Sequence, residues 1–505
     1  VPNSNIIDKK GGLDILKKYI NYILVAVLLL MVVGVYVYLA AENDTTYIID
    51  AQLDGQVMAL TGRETVNYIN KEDVPLKEIY FHVYPNAFRD ETTAPFPAEE
   101  MGQAYPDGFS PGYMDILSVR VGDEDVRFSV EDTVMKVTLP HELYPGRKID
   151  IRINFVVKLP PSDGRFGYGR YTVRLANWYP IVSVYDSDGW NLDPYYAIGD
   201  PFYSDVSDYT VRFVAPAGYT IASTGTARYE QSQGSGLWII KASDVRDMAI
   251  VLSDKFKVKS GEYKGTRVNS YYLGDDDIGE RSLRYAVDAI KYFSETFGRY
   301  PYREYDVVAA DFYIGGMEYP QLVVIDRMLY NKRNIFTLEE VIAHETAHQW
   351  WYGVVGNDEV DEPWLDEALT EFSTVMYFEN YYGNEVAERF WRAYDTIVKK
   401  YDNSHRSVTD SIEKFKDESE YGAIVYEKGA IGLKNIRDQL GEKVFVKGLK
   451  EYYRKYKFKN ATTQDLIESL NRASGKDISS YFKEEIGILY DLNLFEPDVL
   501  AIKGI

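Results

Sequence analysis

The chain holds five histidines, and two of them stand four apart in His344-Glu345-Thr346-Ala347-His348. On a helix that spacing puts both imidazoles on one face, where they can share a cation. The flanking residues predict such a helix: Thr337 and Glu340 read as a capping box ahead of it, and Gly353 follows its last turn. Glu345 points close to the same place and is better suited to holding a water than to binding the metal. A zinc site that does chemistry has three protein ligands and keeps one position for water. Eighteen residues separate His348 from Glu367, which supplies the third ligand. Glu367 falls on a second predicted helix that opens at Pro363 and runs toward Tyr382 and Gly383. The turn through Gly353 and Gly356 gives that helix room to fold back on the first. The expected ligand set is therefore His344, His348 and Glu367, holding one Zn2+ per chain. Chance is a poor account of this pattern in a chain so short of histidine.

These residues need a scaffold, and 505 residues suffice for two or three domains, each with a sizeable core. With 45 tyrosines and an ordinary share of charged residues, a folded protein is expected. The net charge of −22 argues against nucleic acid or an anionic membrane surface as a partner. There is no cysteine, so disulfides and thiolate ligands are excluded and any zinc must sit on nitrogen and oxygen. Residues 46–272 read as strands. Lys148, Asp150, Arg152 and Asn154 alternate with Ile149, Ile151, Ile153 and Phe155, and residues 209–214 nearly repeat the pattern before Pro216 and Gly218 end it. An acidic break between Gly274 and Gly279 marks the expected domain boundary. A helix follows, with Leu283, Ala286, Val287, Ile290, Phe293 and Phe297 at helical spacing before Gly298. Strands at 305–310 and 321–325 flank Gly315, Gly316, Met317 and Glu318. After Thr337 the chain reads as mainly helical to about residue 485, interrupted by a polar loop at 402–420, with Thr463 capping the helix that begins near Gln464.

Residues 22–41 carry no charge and are long enough to cross a hydrocarbon core as a helix. Lys9, Lys10, Lys17 and Lys18 precede the stretch, and Glu42 and Asp44 follow it. That asymmetry predicts a cytoplasmic segment at 1–21, a retained transmembrane helix at 22–41 and everything later outside the cell membrane. A cleaved signal peptide is the rival, but its apolar region is normally shorter, and no small-x-small site precedes Glu42.

The His-Glu-x-x-His segment, its spacing to Glu367 and the sequence Trp364-Leu365-Asp366-Glu367 resemble the gluzincin aminopeptidases, the family of aminopeptidase N and leukotriene hydrolase. Gly315-Gly316-Met317-Glu318 is similar to that family's Gly-x-Met-Glu-Asn motif, and Tyr426-Glu427-Lys428-Gly429-Ala430 to its Tyr-x-Lys-Gly-Ala segment. Weaker similarities at 81–86, 216–219, 245–249 and 460–463 extend the resemblance over most of the chain after residue 46. The resemblance implies an α+β multidomain fold. Behind the transmembrane helix would come a saddle-like β-rich domain (46–272), then a thermolysin-like, mainly α catalytic domain with a small sheet (273–505). Larger members add a C-terminal helical domain; this chain is expected to be a short form with a more open active site.

The resemblance also implies roles. Glu345 is the general base, and Tyr426 donates to the oxyanion. Gly315, Gly316, Met317 and Glu318 bind substrate, the glycines letting a peptide backbone pair as an added strand and Glu318 holding its α-amine. Glu371, one turn after Glu367, either steadies a ligand histidine or is a solvated helix-face residue. Two departures bear on specificity. Tyr319 stands where the family has asparagine, and between Gly164 and Pro180 there is neither the glutamine nor the glutamate that gives the family its second amine anchor. The expected activity is zinc-dependent removal of N-terminal residues from peptides. Alternatives are a zinc endopeptidase or another zinc hydrolase with an open cleft, and a non-catalytic binding module that keeps the fold. Expected partners are peptide substrates and, through the N-terminal helix, the membrane.

Overall fold

Alternation of polar and apolar residues becomes one buried face per strand. In Lys148–Lys158 the side chains of Ile151, Ile153, Phe155 and Val157 are buried while their neighbours reach the surface. The computed structural model describes residues 45–487, apart from 233, 234 and 402. Lys148–Lys158 lies in an eight-stranded sheet in the order Thr226–Ser232, Ser235–Val245, Ser207–Pro216, Thr46–Asp54, Ala59–Ile69, Lys148–Lys158, Tyr113–Val121, Glu124–Asp125. Neighbours run antiparallel except Thr46–Asp54, which pairs parallel with Ser207–Pro216. Two four-stranded sheets and a small two-stranded one (Tyr185–Asp186 with Gly189–Trp190) accompany this sheet: one four-stranded sheet is built around Leu76–His82 and Val134–Leu143, the other around Ile250–Ser253 and Val173–Leu175.

From Thr46 on, the chain forms one compact unit. A five-stranded sheet links its strand-rich and helical parts, in the order Lys257–Tyr263, Thr266–Tyr272, Glu304–Ala310, Leu322–Asp326, Gly316–Met317. Its central strands are apolar runs buried on both sides, as parallel strands are when helices cover them. Helix α1 (Asp276–Thr296) starts within the acidic stretch, where Asp275 accepts from the Asp277 amide, and stops just before Gly298 at φ +147°. Helices α2 (Ile335–Ala347) and α3 (Trp364–Tyr382) follow and pack on each other.

Two caps differ from expectation. Helix α2 begins two residues before Thr337 and forms no capping box. The Asn331 side chain accepts from the Arg333 and Asn334 amides in the turn just ahead of the helix, and Asn334 is the N-cap. In the last long helix, Thr463–Ser474, the capping box belongs to Thr462 and Asp465, not Thr463.

One larger correction concerns the membrane. Among the described residues no helix is long and apolar enough to cross one. Over the described residues the fold class is α+β and multidomain, with mixed sheets and helices, and none of those helices spans a membrane. The span expected at 22–41 lies outside the described residues. The membrane partner, the single-pass cell-membrane localisation and the extracellular catalytic region all rested on that span and are withdrawn with it.

Candidate active site

Helix α2 ends where it is needed. His344 occupies its last turn and His348 its C-cap, so both imidazoles leave the same face four residues apart. Helix α3 begins at Trp364 after Pro363 and carries Asp366 and Glu367 in its first turn, where the helix dipole favours carboxylates. This brings His344 Nε2 and His348 Nε2 within 3.2 Å of each other, with Glu367 Oε2 at 3.5 and 3.3 Å from them. Ligands about 2.1 Å from a tetrahedral zinc are separated by about 3.4 Å, so the triangle has the size of such a site. Glu367 Oε2 is buried with no hydrogen-bond partner among the described residues, as suits an atom reserved for a cation. His344 Nδ1 donates to Glu371 Oε2 at 2.8 Å, and His348 Nδ1 donates to the Trp351 carbonyl at 3.1 Å. Both rings are thus fixed with Nε2 facing inward, the arrangement typical of metal-binding imidazoles. Burial opposes charge on His348, but Glu367 and Glu318 outweigh it and push the imidazole up to about 10.

Glu345 sits against the strand Gly316–Met317. A Cβ built at residue 316 would lie 2.0 Å from Glu345 Oε1, so only glycine leaves the carboxyl where it is. Gly315 has φ +107°, open to glycine at no cost, and turns the chain into that contact. Burial raises the Glu345 carboxyl to about 7 against the pull of both histidines. That is the range suited to a proton acceptor at neutral pH. Gln349, next to His348, pins the loop after the strand. Its Nε2 donates to the Glu318 and Tyr319 carbonyls at 3.3 and 3.1 Å, and its Oε1 accepts from the Gln321 amide at 2.8 Å. Glu318 is thereby held 3 % exposed beside Glu345 and His348, with Oε1 unpartnered among the described residues.

Tyr426 comes from a π-helical turn, Gly422–Lys428, an irregularity that often marks functional positions. Its ring stacks on His344 with centroids 5.9 Å apart, and its hydroxyl donates to Glu367 Oε1. All the residues singled out in the sequence therefore converge on one place. Others arrive with them. Glu371, left open above, orients His344 and accepts from the Tyr394 hydroxyl. Asp200 and Arg165 reach in from the strand-rich part. They form an ion pair, and Arg165 Nε contacts the Met317 sulfur at 3.1 Å. Glu359 and Asp366 lie buried beside Glu318. Gln349 and Asp366 adjoin the motif residues and were within reach of sequence reasoning; Arg165, Asp200 and Glu359 carry no pattern that points to the site.

A helix with two histidines four apart, a glutamate from the next helix and a small sheet edge alongside define the gluzincin class of metal-site proteins. Residues 281–484 match the family described as the Peptidase family M1 domain. Over 257 residues it is 33 % identical to the alanine/arginine aminopeptidase of Saccharomyces cerevisiae, covering 47 % of this chain and 28 % of that protein. It is 24 % identical over 392 residues to aminopeptidase N of Lactococcus lactis, covering 69 % of this chain and 45 % of that protein. The chain spans less than half the length of these curated relatives. In fold it is similar to the M1 zinc metallopeptidase of Deinococcus radiodurans, with a TM-score of 0.63 and 16 % identity over 88 % of this chain and 93 % of that one.

Proposed function

We propose that the protein is a zinc-dependent peptidase that removes N-terminal residues from peptides. The observation that carries this reading is the ligand triangle of His344, His348 and Glu367 with Glu345 beside it and Glu318 buried one step further on. His344, His348 and Glu367 would hold one zinc ion, which would supply Lewis acidity and lower the pKa of a bound water toward neutrality. Glu345 accepts the proton that water releases as it attacks the peptide carbonyl, and returns it to the leaving amine. Tyr426 turns its hydroxyl from Glu367 to the carbonyl oxygen as charge builds there. Gly316–Met317 is the edge strand of its sheet, paired on one side with Leu322–Asp326, so its other side is free for the substrate backbone. Glu318 pairs with the substrate's free ammonium. In this reading, the strand-rich part (46–272) and the catalytic part (273–505) act as two domains that share the five-stranded sheet.

The test compares matched peptides with free and acetylated N-termini, with and without a zinc chelator, beside a Glu345→Gln control. Chelator-sensitive release of single residues from the free peptide alone is expected. Equal cleavage of the blocked peptide would replace this reading with an endopeptidase. A folded preparation with neither zinc nor hydrolysis would make the protein a binding module.

A further inference from the structure

A cavity of about 270 Å³ opens beside Tyr426. Part of its wall is apolar, formed by Phe96, Tyr313 and Ile314, and the rest carries Glu100, Glu418 and the Asp200–Arg165 pair. Arg165 is the one cation among the described lining residues, and Asp200 already neutralises it. Glu100 accepts from the Tyr313 hydroxyl at 3.1 Å and Glu418 from the Gly199 amide at 3.1 Å. Neither forms an ion pair with a described lysine or arginine. The cavity therefore combines a greasy wall with two uncompensated carboxyls.

Its location ties it to the reaction. Tyr426 lines it, and so does Asp200, whose carboxyl lies within 4.8 Å of those of Glu318 and Glu367. In the proposed binding mode the peptide's ammonium is at Glu318 and its first carbonyl at Tyr426, so the side chain between them would start near Asp200 and Tyr426, which line the cavity. We propose that this cavity receives the side chain of the substrate's N-terminal residue and selects lysine or arginine, with the methylenes against Phe96, Tyr313 and Ile314 and the cation between Glu100 and Glu418. Long basic side chains are built for such a place, an apolar stem with a charged tip. Burial raises the Glu418 carboxyl to about 7, a sign of a desolvated acid that a cation would relieve. The inference rests on the aminopeptidase reading, and two measurements separate its fate from that of the reading.

The first is kcat/KM of the zinc-loaded protein on peptides that differ only in an N-terminal lysine, arginine, norleucine or glutamate. The second is calorimetric binding of lysinamide and norleucinamide to the Glu345→Gln protein; these ligands share the ammonium and the chain length and differ in the tip. Lysine is expected to exceed norleucine at least about tenfold in both, with glutamate poorest. In the Glu100→Gln/Glu418→Gln double variant the lysine-to-norleucine ratio should fall toward one, a readout in which any general loss of folded protein cancels. Equal values for the two amides, binding of neither, or a ratio that survives the double substitution overturns the pocket. Hydrolysis of lysine and norleucine peptides at the same rate sinks the pocket and leaves the peptidase standing. No hydrolysis with selective lysinamide binding does the reverse.

Discussion

Gly316→Ala separates activity from stability, because the atom it strikes belongs to the proton acceptor proposed above. The added methyl would sit 2.0 Å from Glu345 Oε1, 2.5 Å from its Cδ and 2.7 Å from its Cγ, and these are its three nearest neighbours. Ordinary contact begins at 3.4 Å, so the carboxyl must retreat by 3.4 − 2.0 = 1.4 Å. A flexible glutamate can do this cheaply, and φ at residue 316 is not in the left-handed region, so the backbone accepts alanine. Fold and zinc content should hardly change. A misplacement of about 1 Å in a catalytic group costs on the order of 100-fold, which is about 2.7 kcal/mol in the barrier. The assay is kcat for a free N-terminal peptide, with zinc per chain by elemental analysis and the thermal midpoint measured on the same sample. A kcat within threefold of the parent, in a protein with normal zinc and midpoint, would show that Glu345 does not act from the position it occupies here.

Three other outcomes follow from single contacts. Glu371→Gln weakens the partner of His344 Nδ1, and zinc affinity measured by chelator competition should fall by about 10- to 100-fold; a change below twofold would return Glu371 to the role of a helix-face residue. Tyr426→Phe should keep its zinc and lose about 100- to 1,000-fold in kcat, and retention of a third of the activity would remove the hydroxyl from the mechanism. Glu64 is fully buried in the eight-stranded sheet, with neither carboxyl oxygen partnered among the described residues, and burial raises its pKa well above the usual 4.5. The folded state keeps a proton that the unfolded chain releases above that value, so this group's contribution to stability declines as pH rises past it. Glu64→Met should stabilise by about 1–3 kcal/mol near neutral pH. Its advantage in urea unfolding should be larger at pH 8 than at pH 5, and an equal or reversed difference would mean that the carboxyl has a partner.

How much of this could be read in advance depends on how local each determinant is. The histidine helix and the Glu367 helix were legible because a four-residue spacing on a helix fixes a face whatever surrounds it. Proline before α3 and glycine after it marked the ends correctly. The α2 start was misread because a Thr-x-x-Glu pattern does not by itself place a cap, and here the helix begins at Ile335 with Asn334 as its N-cap and no side-chain cap bond. Strands were recognisable by alternation, but alternation names no partner. Nothing in residues 266–272 says that they lie parallel to Glu304–Ala310, across the whole of α1. The same limit governs the substrate side of the site. Arg165 and Asp200 belong to loops of the strand-rich part and reach Met317 and Glu318 only because the five-stranded sheet holds the two parts together. The second amine anchor was sought between Gly164 and Pro180 as glutamine or glutamate. The acid that stands beside Glu318 is Asp200, twenty residues beyond that window, and Arg165 inside the window is its ion-pair partner. A motif search confined to residue types at fixed spacings passes over such a residue, because the fold and not the spacing sets its place beside Glu318.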